Sequence, residues 1–459
     1  MMEKTPVFER KALGRLEQWK AESNGSTAML IEGARRVGKS TLATEFGRRH
    51  YASCLLVDFS TAPDDVLGYF RDLRNDLDTF FLYLSAFYGV KLHERDSLII
   101  FDEVQLYPKA REAIKQLIAD GRYDYIETGS LVSIRENVRD ILIPSEEESM
   151  RLDPMDFDEF LWALDERPLA DAIHTSFAKL KPLPDAVHRK ATRLFREYML
   201  VGGMPQAVTT YARTHDFGAV DRTKRLILKL YREDIAKHGG TSQLRVTRIF
   251  DNLVGQLSKK EKRFNITSLG ADARKRDYDD AFFWLSDAFV TNDCFNSTDP
   301  GVGLKISEDH STVKCYLADT GLLVSLALSD ADITTSDVYR DVLLGNVSLN
   351  EGMLVENVVA QLLRTSGHRL FFYSRSDREH AENRMEIDFL IVELYKNAGM
   401  KARVSPIEVK SGKRYSTISL NKFKAKFGPQ VGTRYILHPK PLSVNGDVVR
   451  LPLYMAGLL

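Results

Sequence analysis

The stretch AMLIEGARRVGKSTLATEFGRRH, residues 28–50, decides the fold of the first third of the chain. It opens with the apolar run AMLIE, turns through a glycine-bounded loop and enters the helix-forming STLATEFGRRH, giving strand, loop and helix in that order. The loop fits the pattern G-x-x-x-x-G-K-[ST], closed by Lys39 and Ser40, and Gly33 and Gly38 allow close approach of the backbone. Residues Gly33, Ala34, Arg35, Arg36, Val37, Gly38, Lys39, Ser40 and Thr41 are therefore the expected cofactor-binding set. Their backbone amides, at a helix N-terminus, form a cradle for phosphates. Lys39 is expected to reach the β and γ phosphates as a mobile point charge, and the Ser40 hydroxyl to join a Mg²⁺ shell. ATP and Mg²⁺ are the cofactors this implies.

The run SLIIFDEVQ, residues 97–105, supplies the partner. A buried strand ends at Asp102, a metal ligand candidate, beside Glu103, which can polarise an attacking water. The next strand, YDYIETGS, brings Thr128 and Ser130 to the same sheet edge. Ser130 is taken as the residue that orients water or senses the γ phosphate, while a plain turn explains Thr128 equally well. Arg35, Arg36, Arg135 and Arg139 are all near enough in sequence to act as an arginine finger, and a neighbouring subunit of an oligomer is another source.

The 459 residues suggest roughly three domains. With 64 basic and 64 acidic side chains, any nucleic-acid surface has to be local. Cys54, Cys294 and Cys315 fit no metal-ligand or redox spacing, which suits buried thiols in a reducing cytoplasm. The N-terminus lacks a signal-peptide core and no run has membrane-spanning length, so a cytoplasmic protein without membrane contact is expected.

Short apolar runs alternate with helical patterns over residues 1–153, as in a parallel sheet covered on both faces. Residues 154–240 read as a helical lid. Residues 241–300 read as a winged helix, with Ser268 as an N-cap and AFVTNDCFNS as a β-wing. In its second helix Tyr278, Ala281, Phe282, Leu285, Ala288 and Phe289 fall on one core face, whereas Asp277, Asp279, Asp280 and Asp287 would repel phosphates. Lys259, Lys260, Arg274 and Arg276 flank it, so a protein partner and DNA both remain open for this module. Residues 301–459 return to α/β.

These motifs resemble those of a family of bacterial and archaeal ATPases in the AAA superfamily that carry a C-terminal restriction-endonuclease-like domain of unknown function. The resemblance rests on GARRVGKST, IIFDEVQ, ETGSL and LDPMDFDEFLWAL, then on YMLVGGMPQAV with Tyr198, Gly202, Gly203 and Pro205, and on YREDIAKH. It continues through YLADTGLL, LVENVVAQLL, EIDFLI and IEVKSGK. It implies a multidomain α/β architecture: an AAA-type P-loop domain, a helical lid, a winged helix and the nuclease-like domain. Gly202 and Gly203 also fit a helix-ending turn, with Pro205 starting the next helix.

Glu-x-Lys alone is uninformative, since at roughly 6% per residue type it arises about once or twice in a chain of this length. Here Glu408 and Lys410 follow Asp388 on the preceding strand and Glu356 on a helix, the order of restriction-like nucleases. Asp388 and Glu408 would hold divalent cations, Glu356 would extend the metal shell, and Lys410 would stabilise charge or orient water. Between Glu408 and Asp447 the chain has no carboxylate, while Lys410, Lys413, Arg414, Lys422, Lys424, Lys426, Arg434 and Lys440 accumulate. That stretch can track a phosphate backbone, or it is a solvated face. Three functions stand at this level: ATP hydrolysis controlling nucleic-acid binding or cleavage, a nucleotide-dependent switch or scaffold whose nuclease-like domain binds a protein without cutting, and a plain ATPase that acts without nucleic acid.

Overall fold

A computed structural model describes residues 8–129, 145–259, 263–270, 273–328, 339, 351–375, 384–395, 401–412 and 416–459. The chain forms two compact units. The first comprises residues 1–153 with 236–238 and 287–289, and the second takes the remainder.

The first unit carries helices α1 (Ala12–Ser23), α2 (Lys39–His50), α3 (Asp64–Asp72), α4 (Leu77–Tyr88) and α5 (Pro108–Asp120). Its strands are β1 (Ala28–Glu32), β2 (Ser53–Asp58), β3 (Ser97–Asp102), β4 (Asp124–Gly129) and β5 (Glu147–Arg151), in the order β2-β3-β4-β1-β5. Every neighbouring pair is parallel. All six residues of β3 and all six of β4 are buried, which explains their continuous rather than alternating apolar runs. One face buries Leu55, Val57, Ile99 and Phe101 against an aromatic layer of Phe59, Phe70, Phe80 and Phe81. The first unit thus has the expected covered parallel sheet.

The second unit has a helical stretch, Phe157–Ala163, Arg167–Lys179, Asp185–Val201, Pro205–Thr214, Phe217–His238 and Gln243–Leu257. Its first helix starts in a capping box: the Asp156 carboxylate accepts from the Glu159 amide, and the Glu159 carboxylate accepts from the Asp156 amide. An eight-stranded mixed sheet follows, in the order β12-β13-β11-β10-β9-β8-β6-β7. Its strands are β6 (Thr291–Ser297), β7 (Glu308–Leu317), β8 (Phe371–Arg375), β9 (Met385–Tyr395), β10 (Lys401–Val409), β11 (Arg434–His438), β12 (Ser443–Asn445) and β13 (Val448–Pro452). The hairpin β6–β7, at the place of the expected wing, joins this sheet because β6 also pairs in parallel with β8.

Helix Glu351–Thr365 precedes β8, β9 and β10, and helix Ile418–Phe427 links β10 to its parallel neighbour β11. In the segment before β6, Asn265 rather than Ser268 provides the side-chain cap, accepting from the Thr267 amide at 3.1 Å, and Ser268 lies inside the short 3₁₀ turn Ile266–Leu269. Tyr278, Ala281, Phe282 and Leu285 are buried, as their spacing requires.

Three of the sequence blocks meet at one buried point of this unit. Gly203 donates its amide to Asp319 Oδ2 at 2.5 Å and accepts from the Met155 amide at 2.7 Å. A Cβ on Gly203 would stand 2.0 Å from the Met155 carbonyl oxygen, and one on Gly321 would stand 2.3 Å from the Val201 carbonyl oxygen. Gly202, at φ +83°, ends its helix in a conformation only glycine adopts readily. Tyr198 donates to the Met155 carbonyl at 2.8 Å and accepts from Gln361 Nε2 at 3.0 Å. The fully buried Lys224 ammonium caps the Leu200 and Gly321 carbonyls at 2.6 and 3.0 Å. The glycine pair is therefore a close-packing device here.

Candidate functional site

In the first unit the P-loop leaves β1 between its two sheet neighbours, β4 and β5. The parallel register places Asp102, Thr128 and Gly33 at one edge of the sheet. Gly38 enters α2 at φ +100°, and a Cβ on Gly33 would lie 2.4 Å from the Leu152 carbonyl oxygen, so this loop needs glycine at both positions. Lys39 is buried, and its ammonium donates to the Gly33 and Ala34 carbonyls at 3.0 and 3.2 Å. Arg35 and Arg36 are exposed.

Ser40 donates its hydroxyl to Asp102 Oδ1 at 2.7 Å, and Thr128 donates to the same oxygen. Burial raises the Asp102 pKa above the ordinary carboxylate value, opposed by these two hydroxyls. A buried carboxylate held by only neutral donors is a good seat for a cation. Glu103 sits at φ +54°, a left-handed conformation unusual for glutamate. Its amide donates to Thr128 Oγ1 at 3.3 Å, and its carboxylate accepts from Gln105 Nε2 at 2.5 Å. Thr128 thus links Asp102 to Glu103.

Sequence reading missed Arg10. Its guanidinium donates to the Val37 carbonyl at 3.2 Å and to the Asp153 carbonyl at 2.7 Å, tying the loop to the end of the unit. No local motif marks it. Ser130, Arg135 and Arg139 lie outside the described residues.

In the second unit, Asp388 on β9 and Glu408 on β10 fall opposite one another, one step beyond the ladder pair Ile407↔Phe389. The register between β8 and β9 shifts beside them, as bulges often do near functional groups. Asp388 Oδ2 accepts from the Val409 amide at 2.8 Å, and Glu408 pairs with the Lys410 ammonium at 2.8 Å.

Glu356 is buried and accepts from Tyr316 Oη at 2.5 Å and from the Lys314 ammonium at 3.4 Å. Lys314 also meets Glu386 at 3.0 Å. Among the described residues no group of three or more His, Cys, Asp or Glu is placed to hold a metal ion. Glu356, Asp388 and Glu408 are gathered in one region, but each is held by a partner from the chain itself, and they do not fit a shared divalent ion as they stand. Lys314 was not foreseen, because a single lysine on an edge strand has no spacing signature.

The acid-free stretch is also largely engaged. Lys424 and Arg434 pair with Asp447, Arg434 donates to Asn421 Oδ1 at 2.6 Å, and Lys426 donates to Tyr373 Oη at 2.6 Å. Lys422 donates to the Arg384 carbonyl at 3.2 Å. Lys413, Arg414 and Lys260 lie outside the described residues. No helix among the described residues is long and apolar enough to cross a membrane.

Residues 25–161 match the family model described as an AAA domain. The parallel sheet, the glycine-bounded loop and the Ser40–Asp102 contact of the first unit agree with that match. Residues 192–333 and 351–454 match two domains of unknown function, DUF8612 and DUF4143. No curated protein matches the chain in sequence.

Among solved structures, the Orc1 protein of Aeropyrum pernix in complex with DNA is similar at 13% identity, with 71% of this chain and 94% of that one covered and a TM-score of 0.28. Cdc6p of Pyrobaculum aerophilum is similar at 12% identity over 75% and 98%, also with a TM-score of 0.28. A signal transduction ATPase with numerous domains from Pyrococcus horikoshii is similar at 12% identity over 79% and 46%, again at 0.28. Scores of this size fall short of a shared overall fold.

Proposed function

We propose that the protein binds ATP with Mg²⁺ in its first unit, hydrolyses it, and uses the cycle to switch what its second unit binds. The observation that carries this is the joining of the P-loop to the acidic strand end through Ser40 and Asp102. Ser40 and Asp102 would hold the Mg²⁺, and the loop amides with Lys39 would hold the phosphates. The bound ion supplies charge neutralisation on the phosphates. Glu103 serves as the base for the attacking water, and Thr128, bonded to both acidic neighbours, fixes their relative position. Ser130 is retained as a water-orienting residue from the sequence pattern alone.

The test is steady-state ATP hydrolysis and nucleotide titration. Wild-type protein should turn over ATP only with a divalent ion, and Lys39→Ala should lose both turnover and affinity. Turnover unchanged in Lys39→Ala would remove the proposal.

For the second unit, the order of helix, three strands, helix and strand from Glu351 to His438, with Asp388 facing Glu408, supports a restriction-endonuclease-like reading. Within it the non-cutting alternative is favoured by the partners that Glu356 and Glu408 already hold. The cleaving alternative, with Asp388, Glu408 and Lys410 acting on a nucleic acid, predicts metal-dependent nicking that Asp388→Ala abolishes. The winged-helix reading of residues 241–300 is kept as a protein-binding or DNA-binding module on the sequence pattern.

A further inference from the structure

The carboxylates gathered around β9 and β10 are faced by two ammonium groups of the chain itself. Glu356, Glu386, Asp388 and Glu408 stand against Lys314 and Lys410. Lys410 is the lysine the nuclease-like pattern calls for, whereas Lys314 comes from β7, outside the segment that carries that pattern. Its side chain is 1% exposed, contacts Glu356 and Glu386, and has its ammonium 4.9 Å from the centre of the Phe372 ring.

The Lys314 ammonium lies 3.4 Å from Glu356 and 3.0 Å from Glu386, so one buried cation faces two carboxylates. A divalent ion sharing Glu356 would have to displace a cation already seated among these carboxylates. The Tyr316 hydroxyl donates to the same Glu356 oxygen, Oε1, that the Lys314 ammonium approaches.

We propose that the ammonium of Lys314 is the resident cation of this carboxylate cluster, filling the charge-neutralising role a divalent ion has in a metal-dependent nuclease, so that the domain is a closed binding module that does not cut. It deepens the non-cutting reading given above, and its test does not depend on cleavage or on the ATPase.

The experiment is a Mn²⁺ titration of the nucleotide-free full-length protein, followed by electron paramagnetic resonance, with wild type, Asp388→Asn, Lys314→Met and the double variant Lys314→Met/Asp388→Asn compared. Wild type and Asp388→Asn should give superimposable curves. Lys314→Met, which keeps the side chain's length without its charge, should bind one additional Mn²⁺ at least about tenfold more tightly, and the double variant should lose it. One more ion on wild type than on Asp388→Asn would overturn the proposal, as would a folded Lys314→Met that gains none. If Lys314→Met does not fold, the comparison of wild type with Asp388→Asn decides alone. ATP turnover measured on the same preparations reports the first unit separately, so failure of the nucleotide reading is distinguishable from failure of this one.

Discussion

The Ser40 hydroxyl donates to Asp102 Oδ1 at 2.7 Å across 62 positions of sequence, joining the loop that opens α2 to the end of β3. The strand that leads into the loop and the strand that ends at Asp102 are not neighbours, because β4 lies between β1 and β3 in the sheet. The contact is made at the strands' shared C-terminal edge, with Thr128 of β4 completing it.

Glu103 is poised beside this pair without being needed to hold the loop. Glu103→Gln should lower kcat for ATP by roughly 10²–10⁴-fold and leave nucleotide affinity within a few fold. Steady-state kinetics with a parallel fluorescent-nucleotide titration checks it, and equal losses in both would assign Glu103 to binding.

Gly203 is packed against backbone, which cannot move aside as a flexible side chain can. Gly203→Ala should cost about 1–3 kcal/mol through overpacking against the Met155 carbonyl. Thermal unfolding of the second unit should show this, with ATP binding by the first unit as the control.

Lys224 is a fully buried ammonium that caps two carbonyls and lies near Asp221 and Asp319. Lys224→Met should cost about 3–5 kcal/mol, because the two carbonyls and the buried Asp319 lose their cation, while Asp221 keeps Arg225. The measurement is a chemical-denaturation midpoint, and a change under about 1 kcal/mol would show that water replaces the ammonium there.

His438 is 1% exposed, and burial, helped by Lys440, Arg450 and His188, pushes it down from 6.5 to about 4. A histidine lowered on folding favours the native state above its unfolded pKa, and that contribution is lost as pH falls through the folded value. The melting temperature of the second unit should therefore fall between pH 6.5 and 4. His438→Asn, whose carbonyl can still accept from the Lys440 amide, should flatten this slope.

The sheet and loop of the first unit were legible because their residues lie in contiguous patterns. AMLIE followed by GARRVGKST can form little besides a strand entering a phosphate loop, and SLIIFDE marks the neighbouring sheet edge. That Asp388 and Glu408 lie on paired strands was legible by order, since strand-to-strand spacings survive folding.

Lys314, Lys224 and Arg10 were not, because each acts through partners far away in sequence and none sits in a repeating pattern. The acid-free stretch was read as open to phosphates, yet Asp447 beyond its end supplies the carboxylate for Lys424 and Arg434. Strand partners are similarly silent in sequence: nothing in AFVTNDCFNS announces that it pairs with Phe371 and Phe372 as well as with β7.

The buried junction at Gly203 bears on synthesis. Its hydrogen bonds reach forward 116 positions to Asp319, Tyr198 reaches 163 to Gln361, and His188 reaches 266 to Tyr454. Most of the first unit's contacts, by contrast, close within residues 1–153. As the chain emerges from the ribosome, the first unit can settle early. The second unit must wait until Tyr454 has been made, so the growing polypeptide carries a finished first unit ahead of a long, uncommitted body.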